Sequence, residues 1–285
     1  MITDYAIHGE PGLLCPVAQL AGSIGPLDTQ SPISNFQTIG ANDTPAGMAI
    51  MIGDEICKLT IKAGNVIEFQ RGCADTIPRA HAAGTLVWFF GLNVAGDGQE
   101  YGGTQTIATK VLPSTATGGR VPIGGSPPND ITFSNRFIRP YPPGAVLANA
   151  APWFEPQVID EITDLTLEWK HRDRIGQADQ LVTHNATSVG PEAGTTYIVR
   201  VYDESDFLIA TYDGIDAETW TYTVEQASED ADTLDLYVPS YLMLHSVRDG
   251  WESLDGYRID FTLTMPDVPF GLGYRLGLAL GGVAP

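Results

Sequence analysis

Apolar and polar positions alternate in several stretches of the chain, and each such stretch predicts a strand. In Asp54-Glu-Ile-Cys-Lys-Leu-Thr-Ile-Lys62, Cys57, Leu59 and Ile61 share one face, while Ile56, Lys58, Thr60 and Lys62 share the other. That period of two is the signature of a half-buried strand. The apolar run Gly47-Met-Ala-Ile-Met-Ile-Gly53 forms a strand before it, and the turn Ala63-Gly64-Asn65 leads into Val66-Ile-Glu-Phe-Gln70, completing a hairpin. Leu86-Val-Trp-Phe-Phe90 is a strongly apolar strand, and residues 104–112 alternate well enough for another. Further on, Leu165, Leu167 and Trp169 point one way, and Thr166, Glu168 and Lys170 the other. Residues 197–202 and 208–212 flank the polar turn Asp203-Glu-Ser-Asp206, and residues 219–224 form the next strand. After an acidic loop at 228–232, strands are expected at 234–238, 243–247 and 257–264. Seven or so strands with polar turns between them predict an immunoglobulin-like sandwich with Trp169 in its core.

Glycine and proline punctuate this pattern and set the domain limits. Residues 1–42 carry Gly9, Pro11-Gly12, Gly22, Gly25-Pro26 and Pro32, and read as an N-terminal arm. Residues 114–129 are rich in Gly, Pro, Ser and Thr and read as a mobile loop. Arg139-Pro-Tyr-Pro-Pro-Gly144 is a stiff junction, because each proline removes a donor and restrains the residue before it. The expected organisation is an arm at 1–42, a β-rich module at 43–138, a sandwich at 139–265 and a C-terminal arm at 266–285.

Composition supports an all-β chain. Of 285 residues, 43% are hydrophobic, so a sizeable core is available, and 31 Gly with 20 Pro favour short strands and tight turns. The formal charge of -20 argues against nucleic-acid binding, whose affinity comes from neutralised phosphates. The start, Met1-Ile-Thr-Asp-Tyr5, lacks the basic region and apolar core of a secretory leader. Apolar stretches are interrupted too often to span a membrane.

Fragments that imitate catalytic or binding motifs each have a plainer explanation. His171-Arg172-Asp173 spells a kinase catalytic-loop tripeptide but follows a strand and lacks the downstream Asn. Ala21-Gly-Ser23-Ile-Gly25 has the spacing of a nucleophile elbow, yet Pro26 stands where a helix should begin. His8, His81, His171, His184 and His245 are scattered, with no paired zinc-ligand spacing. Asp203, Glu204 and Asp206 have too few oxygen ligands at fixed spacing for a calcium loop. Gly96-Asp-Gly98 and Gly102-Gly103 are turns without the context of a phosphate cradle. Cys15, Cys57 and Cys73 read as buried thiols, a Cys57–Cys73 bridge being the alternative. Asn42-Asp-Thr44 and Asn185-Ala-Thr187 match the glycosylation sequon, which matters only in a secretory pathway. The carboxylate pairs Asp160/Glu161 and Glu229/Asp230 read as exposed loop charges. The expectation is therefore no catalytic, cofactor-binding or metal-binding residue.

Two segments carry a resemblance. Ile52-Gly-Asp-Glu-Ile56, Phe69-Gln-Arg71-Gly72-Cys-Ala-Asp75-Thr76 and His81-Ala-Ala-Gly84-Thr85 together resemble a module of bacteriophage tail and tail-tip proteins, related to modules in gene-transfer-agent tail hub proteins. The pattern there is an acidic G-x-E strand, an R-G-x-x-[GD]-T turn, a histidine, and a glycine before an apolar strand. Here Asp75 stands where many relatives have glycine. Arg71 and Asp75 are expected to brace the loop, with Gly72 and Gly84 supplying turns. The second segment comprises Arg139-Pro-Tyr-Pro-Pro-Gly144, Leu165-Thr-Leu-Glu-Trp-Lys-His-Arg-Asp-Arg174, Gln177-Ala-Asp179 and Ser246-Val-Arg-Asp-Gly250. It resembles the fibronectin-III-like domain that follows that module. The resemblance spans residues 47–264 and implies a virion protein of a tail tip, baseplate or fibre-attachment assembly, without catalysis. The implied partners are other tail subunits and further copies of this chain. Two alternatives remain. One is a tail adhesin binding a host-surface receptor or carbohydrate through Trp153, Trp251 or Tyr274; the other is a glycan-degrading tail enzyme.

Overall fold

The computed structural model describes residues 16–35, 44–90, 103–110, 112, 119, 121–160, 162–231 and 238–264. Its secondary structure is almost wholly strand, so the all-β class expected from the alternation holds. The chain divides into two compact units. One comprises Met1–Gly53, Leu59–Phe69 and His81–Arg139; the other comprises Asp54–Lys58, Gln70–Ala80 and Pro140–Pro285.

A closed barrel is built from β1 (Val17–Leu20), β2 (Gln30–Ser34), β3 (Ala49–Ile52), β4 (Glu55–Ala63), β5 (Val66–Gln70) and β6 (Leu86–Trp88), in the order β1-β2-β5-β4-β3-β6; all of it falls in the first unit except the start of β4, up to Lys58, and Gln70. Closure satisfies every strand edge. The alternation places Leu20, Ile33, Ile50, Ile52, Leu59, Ile67, Phe69 and Val87 inside. Ile61, on the same face of β4 as Leu59, is exposed because the strand runs on past the core. Residues 1–42 are therefore not simply an arm: β1 and β2 are barrel staves, and Leu20 is a core residue. His81 exchanges two backbone hydrogen bonds with Ile24, each 2.9 Å long. A two-stranded ribbon of β7 (Thr106–Thr109) and β8 (Asn129–Thr132) follows in the same unit. The expected mobile loop at 114–129 falls partly outside the described residues, as do the expected strand at 234–238 and the whole of the 266–285 arm.

The second unit is a two-sheet sandwich. β9 (Gly144–Ala148), β10 (Ala151–Pro152), β12 (Leu165–Lys170) and β15 (Thr219–Tyr222) form one sheet, ordered β10-β9-β12-β15. β11 (Gln157–Ile159), β13 (Thr196–Tyr202), β14 (Leu208–Ile215), β16 (Tyr241–Arg248) and β18 (Tyr257–Leu263) form the other, ordered β11-β18-β16-β13-β14, with β17 (Trp251–Glu252) paired to β16. Pairing is antiparallel except between β11 and β18. Three main strands, β9-β12-β15, thus face four, β18-β16-β13-β14. This is the arrangement of a fibronectin-III-like sandwich. Leu165, Leu167, Trp169 and Tyr222 from one sheet meet Tyr197, Val199, Val201, Leu244 and Ile259 from the other in a single core. Residues 228–232, expected to be a loop, largely belong to helix α1 (Val224–Asp230). Thr223 caps that helix: its hydroxyl accepts from Gln226 N, and Gln226 reaches back to Thr223 N.

Candidate functional site

Three of the residues that carry the resemblance, Glu55, Arg71 and Gly72, meet in one buried polar node within the second unit. β4 starts with Glu55, whose side chain turns inward with Cys57 and Leu59. β5 ends at Gln70, and the chain then makes an irregular loop that begins with Arg71 and Gly72. Glu55 Oε1 accepts from Arg71 Nε at 2.8 Å and from Gly72 N at 2.9 Å. Oε2 accepts from Arg71 Nη2 at 2.7 Å and from Arg79 N at 3.1 Å. The two side chains are 1% and 0% exposed, so the pair is wholly removed from water. Such a two-point guanidinium–carboxylate contact is both strong and directional. Arg71 and Asp75 are expected from the sequence to brace this loop; the carboxylate that Arg71 bonds at two points is Glu55, 16 positions upstream on the neighbouring strand.

The loop is stitched to the rest of the unit on its other side. The Arg71 carbonyl accepts from His184 N and from Thr183 Oγ1, each at 3.0 Å. Gly72 lies at φ 55, and a Cβ there would come within 2.6 Å of Pro78 Cδ and 2.9 Å of His184 Cβ. Glycine is therefore required both by conformation and by space. Gly84 also has positive φ, but a Cβ there would meet nothing, so its need is conformational alone. Arg172, the middle residue of the kinase-like tripeptide, is buried and donates to Gln177 Oε1 at 3.0 Å and to the carbonyls of Ala74 and Val182 at 3.3 Å. At the rim, Asp255 accepts from Ile77 N at 3.3 Å and pairs with Arg79 at 2.5 Å. Burial raises the Asp255 pKa, with Arg79 opposing.

The chemistry of this node is that of a brace. Cys57 and Cys73 are free and buried, as the buried-thiol reading expects, and do not form the alternative bridge. Burial raises Cys57 well above the usual thiol range and takes Cys73 up to about 12, which keeps both as neutral thiols rather than nucleophilic thiolates. Burial lowers His184 to about 4, so its imidazole is neutral at pH 7.

The other residues singled out in the sequence lie apart from this node. Ser23 is exposed and accepts from Ala83 N, with no helix following it. Asp203 is buried and accepts from Ser205 N and Phe207 N, shaping the β13–β14 turn, while Asp206 accepts from Tyr241 Oη. Asp230 accepts from the hydroxyls of Tyr212 and Tyr222, each at 2.8 Å. Asp160 accepts from Ile162 N in a tight turn. Among the described residues no group of three His, Cys, Asp or Glu side chains is placed to hold a metal ion. Trp153, considered for sugar stacking, is in the sandwich core and packs edge-on to Tyr257 at 5.0 Å and to His184 at 5.9 Å. Trp251 is half-buried on β17. His8, Cys15, Asn42, Glu161 and Tyr274 lie outside the described residues. Of the buried partners, Glu55 is marked in the sequence by the G-x-E of Gly53-Asp54-Glu55 and Arg172 by its place in the second resembling segment, while His184 stands in no motif.

No helix among the described residues is long and apolar enough to cross a membrane. No protein-family model matches the chain, and a search of curated proteins returned no match.

Proposed function

We propose that this chain is a structural component of a bacteriophage tail, in a tail tip, baseplate or fibre-attachment assembly, and that it works through protein–protein contacts rather than catalysis. The observation that carries the reading is the closed Glu55–Arg71 pair. Glu55, Arg71 and Gly72, from the segments that resemble the tail module, hold a loop in shape, and the Glu55–Arg71 pair is satisfied internally, out of reach of a substrate. A carboxylate that already accepts from four donors and is shut off from water is poorly suited to proton transfer. The fibronectin-III-like sandwich is compatible with the same role, although that fold alone serves many functions.

The partners on this reading are other tail subunits and further copies of the chain, and its location is the virion. The charge of -20 would disfavour association with DNA passing nearby. The adhesin alternative loses Trp153 as a stacking surface, because that ring is in the core. A complementation experiment tests the proposal. Deleting the coding sequence from a phage that carries it should leave incomplete tails, and wild-type protein should restore them. Complete, normally infectious particles lacking the protein would overturn the reading.

A further inference from the structure

His184 joins three segments of the second unit through its backbone alone. Its N–H donates to the Arg71 carbonyl at 3.0 Å, and its carbonyl accepts from Ala145 N, next to Gly144 at the start of β9, at 2.7 Å. Space around it is fully used. A Cβ on Gly72 would meet His184 Cβ at 2.9 Å, and a Cβ on Gly144 would meet the His184 carbonyl oxygen at 2.7 Å. Any residue but proline could make those backbone bonds at position 184. The imidazole itself stacks edge-on to Trp153, and its Nδ1 is buried without a hydrogen-bond partner among the described residues. An orphaned polar atom in a buried position is costly and calls for a reason beyond packing.

The charges that act on the ring are those of Arg172 and Arg71, which oppose a proton there, and of Glu55, which favours one. Glu55 is already engaged by Arg71, Gly72 N and Arg79 N. A protonated His184 would therefore add a cation near two buried guanidinium groups, while Glu55 is already committed to one of them, Arg71.

We propose that His184 is an acid-sensitive latch: protonation of its imidazole releases the loop Gln70–Ala80 from Thr183 and His184 while the two sheets of the sandwich stay folded. The proposal goes beyond the tail reading and does not depend on it. The sign follows from linkage. In the closed state the imidazole titrates at about 4, and once released it titrates near its ordinary 6.5. The open form thus binds the proton more tightly. Closure is fully maintained above pH 6.5 and weakens as the pH falls through the window from 6.5 to 4. Within that window the opening equilibrium shifts by about tenfold per pH unit.

The test is amide hydrogen exchange on the full chain, corrected for the intrinsic pH dependence of exchange. It compares wild type, His184→Gln, His184→Phe and His245→Gln. His245 lies on β16 and also titrates low because it is buried, so it reports any general effect of buried histidines. The expected result is that wild-type amides in the loop lose protection by about a hundredfold in total across the window, while those of β13 and β16 keep theirs. His184→Gln and His184→Phe should abolish that loss, and His245→Gln should leave it intact. Two variants of different shape guard against a packing defect in either. Three results would overturn the latch: a wild-type loop protected down to pH 4, equal loss in both His184 variants, or loss in β13 and β16 at the same pH as in the loop.

Discussion

Arg71 and Glu55 show how much a single buried pair can decide. Removing one partner leaves the other charge sealed from water, which typically costs about 3–5 kcal/mol. Arg71→Ala should therefore destabilise the second unit by that order in chemical denaturation. Arg71→Lys should also destabilise, because an ammonium cannot bond both Glu55 oxygens while keeping the Arg79 carbonyl. The double variant Glu55→Leu, Arg71→Met should recover part of the loss, since an apolar pair has no charge to strand. A fully neutral Arg71→Ala would contradict the brace. The sequence marked Arg71 and Asp75 as braces of the loop and Gly72 as a turn, but did not join Arg71 to Glu55. Glu55 lies across a hairpin, and Arg172 and His184 arrive from about a hundred residues away. Contacts of that kind depend on tertiary assembly and leave no periodic trace.

At the scale of elements, legibility followed the period. β12 was plain because Leu165, Leu167 and Trp169 all face the core. β1 and β2 were read as an arm because they are short, sit among turn-formers, and β2 contains Pro32. A strand-interior proline usually argues against a strand. Within helix α1, Val224 was read as the end of a strand and 228–230 as part of a loop, because Val224-Glu-Gln-Ala-Ser-Glu-Asp230 has almost no apolar face, Ala227 being its only buried residue. Its available signal was Thr223 with Gln226 three positions on, a capping box. Thr223→Ala should cost about 1 kcal/mol. The core makes a larger prediction. Trp169 is fully buried between the sheets, so Trp169→Ala should cost roughly 3–5 kcal/mol, by lost burial and a cavity. Trp251, half-buried on the two-residue strand β17, should cost clearly less. Equal, small losses in a denaturation series would contradict the assignment of Trp169 to the central core.

For the whole molecule, the expected contiguous split near residue 138 was only partly legible. The second unit takes up its long continuous stretch at Pro140, beside the proline-rich junction, yet it also claims Asp54–Lys58 and Gln70–Ala80 from within the first. Insertions of this kind are invisible to composition, because the borrowed residues look like ordinary strand ends. They also put Glu55, Arg71, Gly72 and Asp75 into one compact unit with the sandwich, which is compatible with the proposed role as an assembly protein. That role is the central claim. Its most direct test is imaging of purified phage particles in which this chain carries a compact label. Density or gold is expected at a fixed place on the tail, in every complete particle and in constant copy number. Particles of normal composition and infectivity in which the label is absent, with the protein left in the host cell fraction, would contradict it.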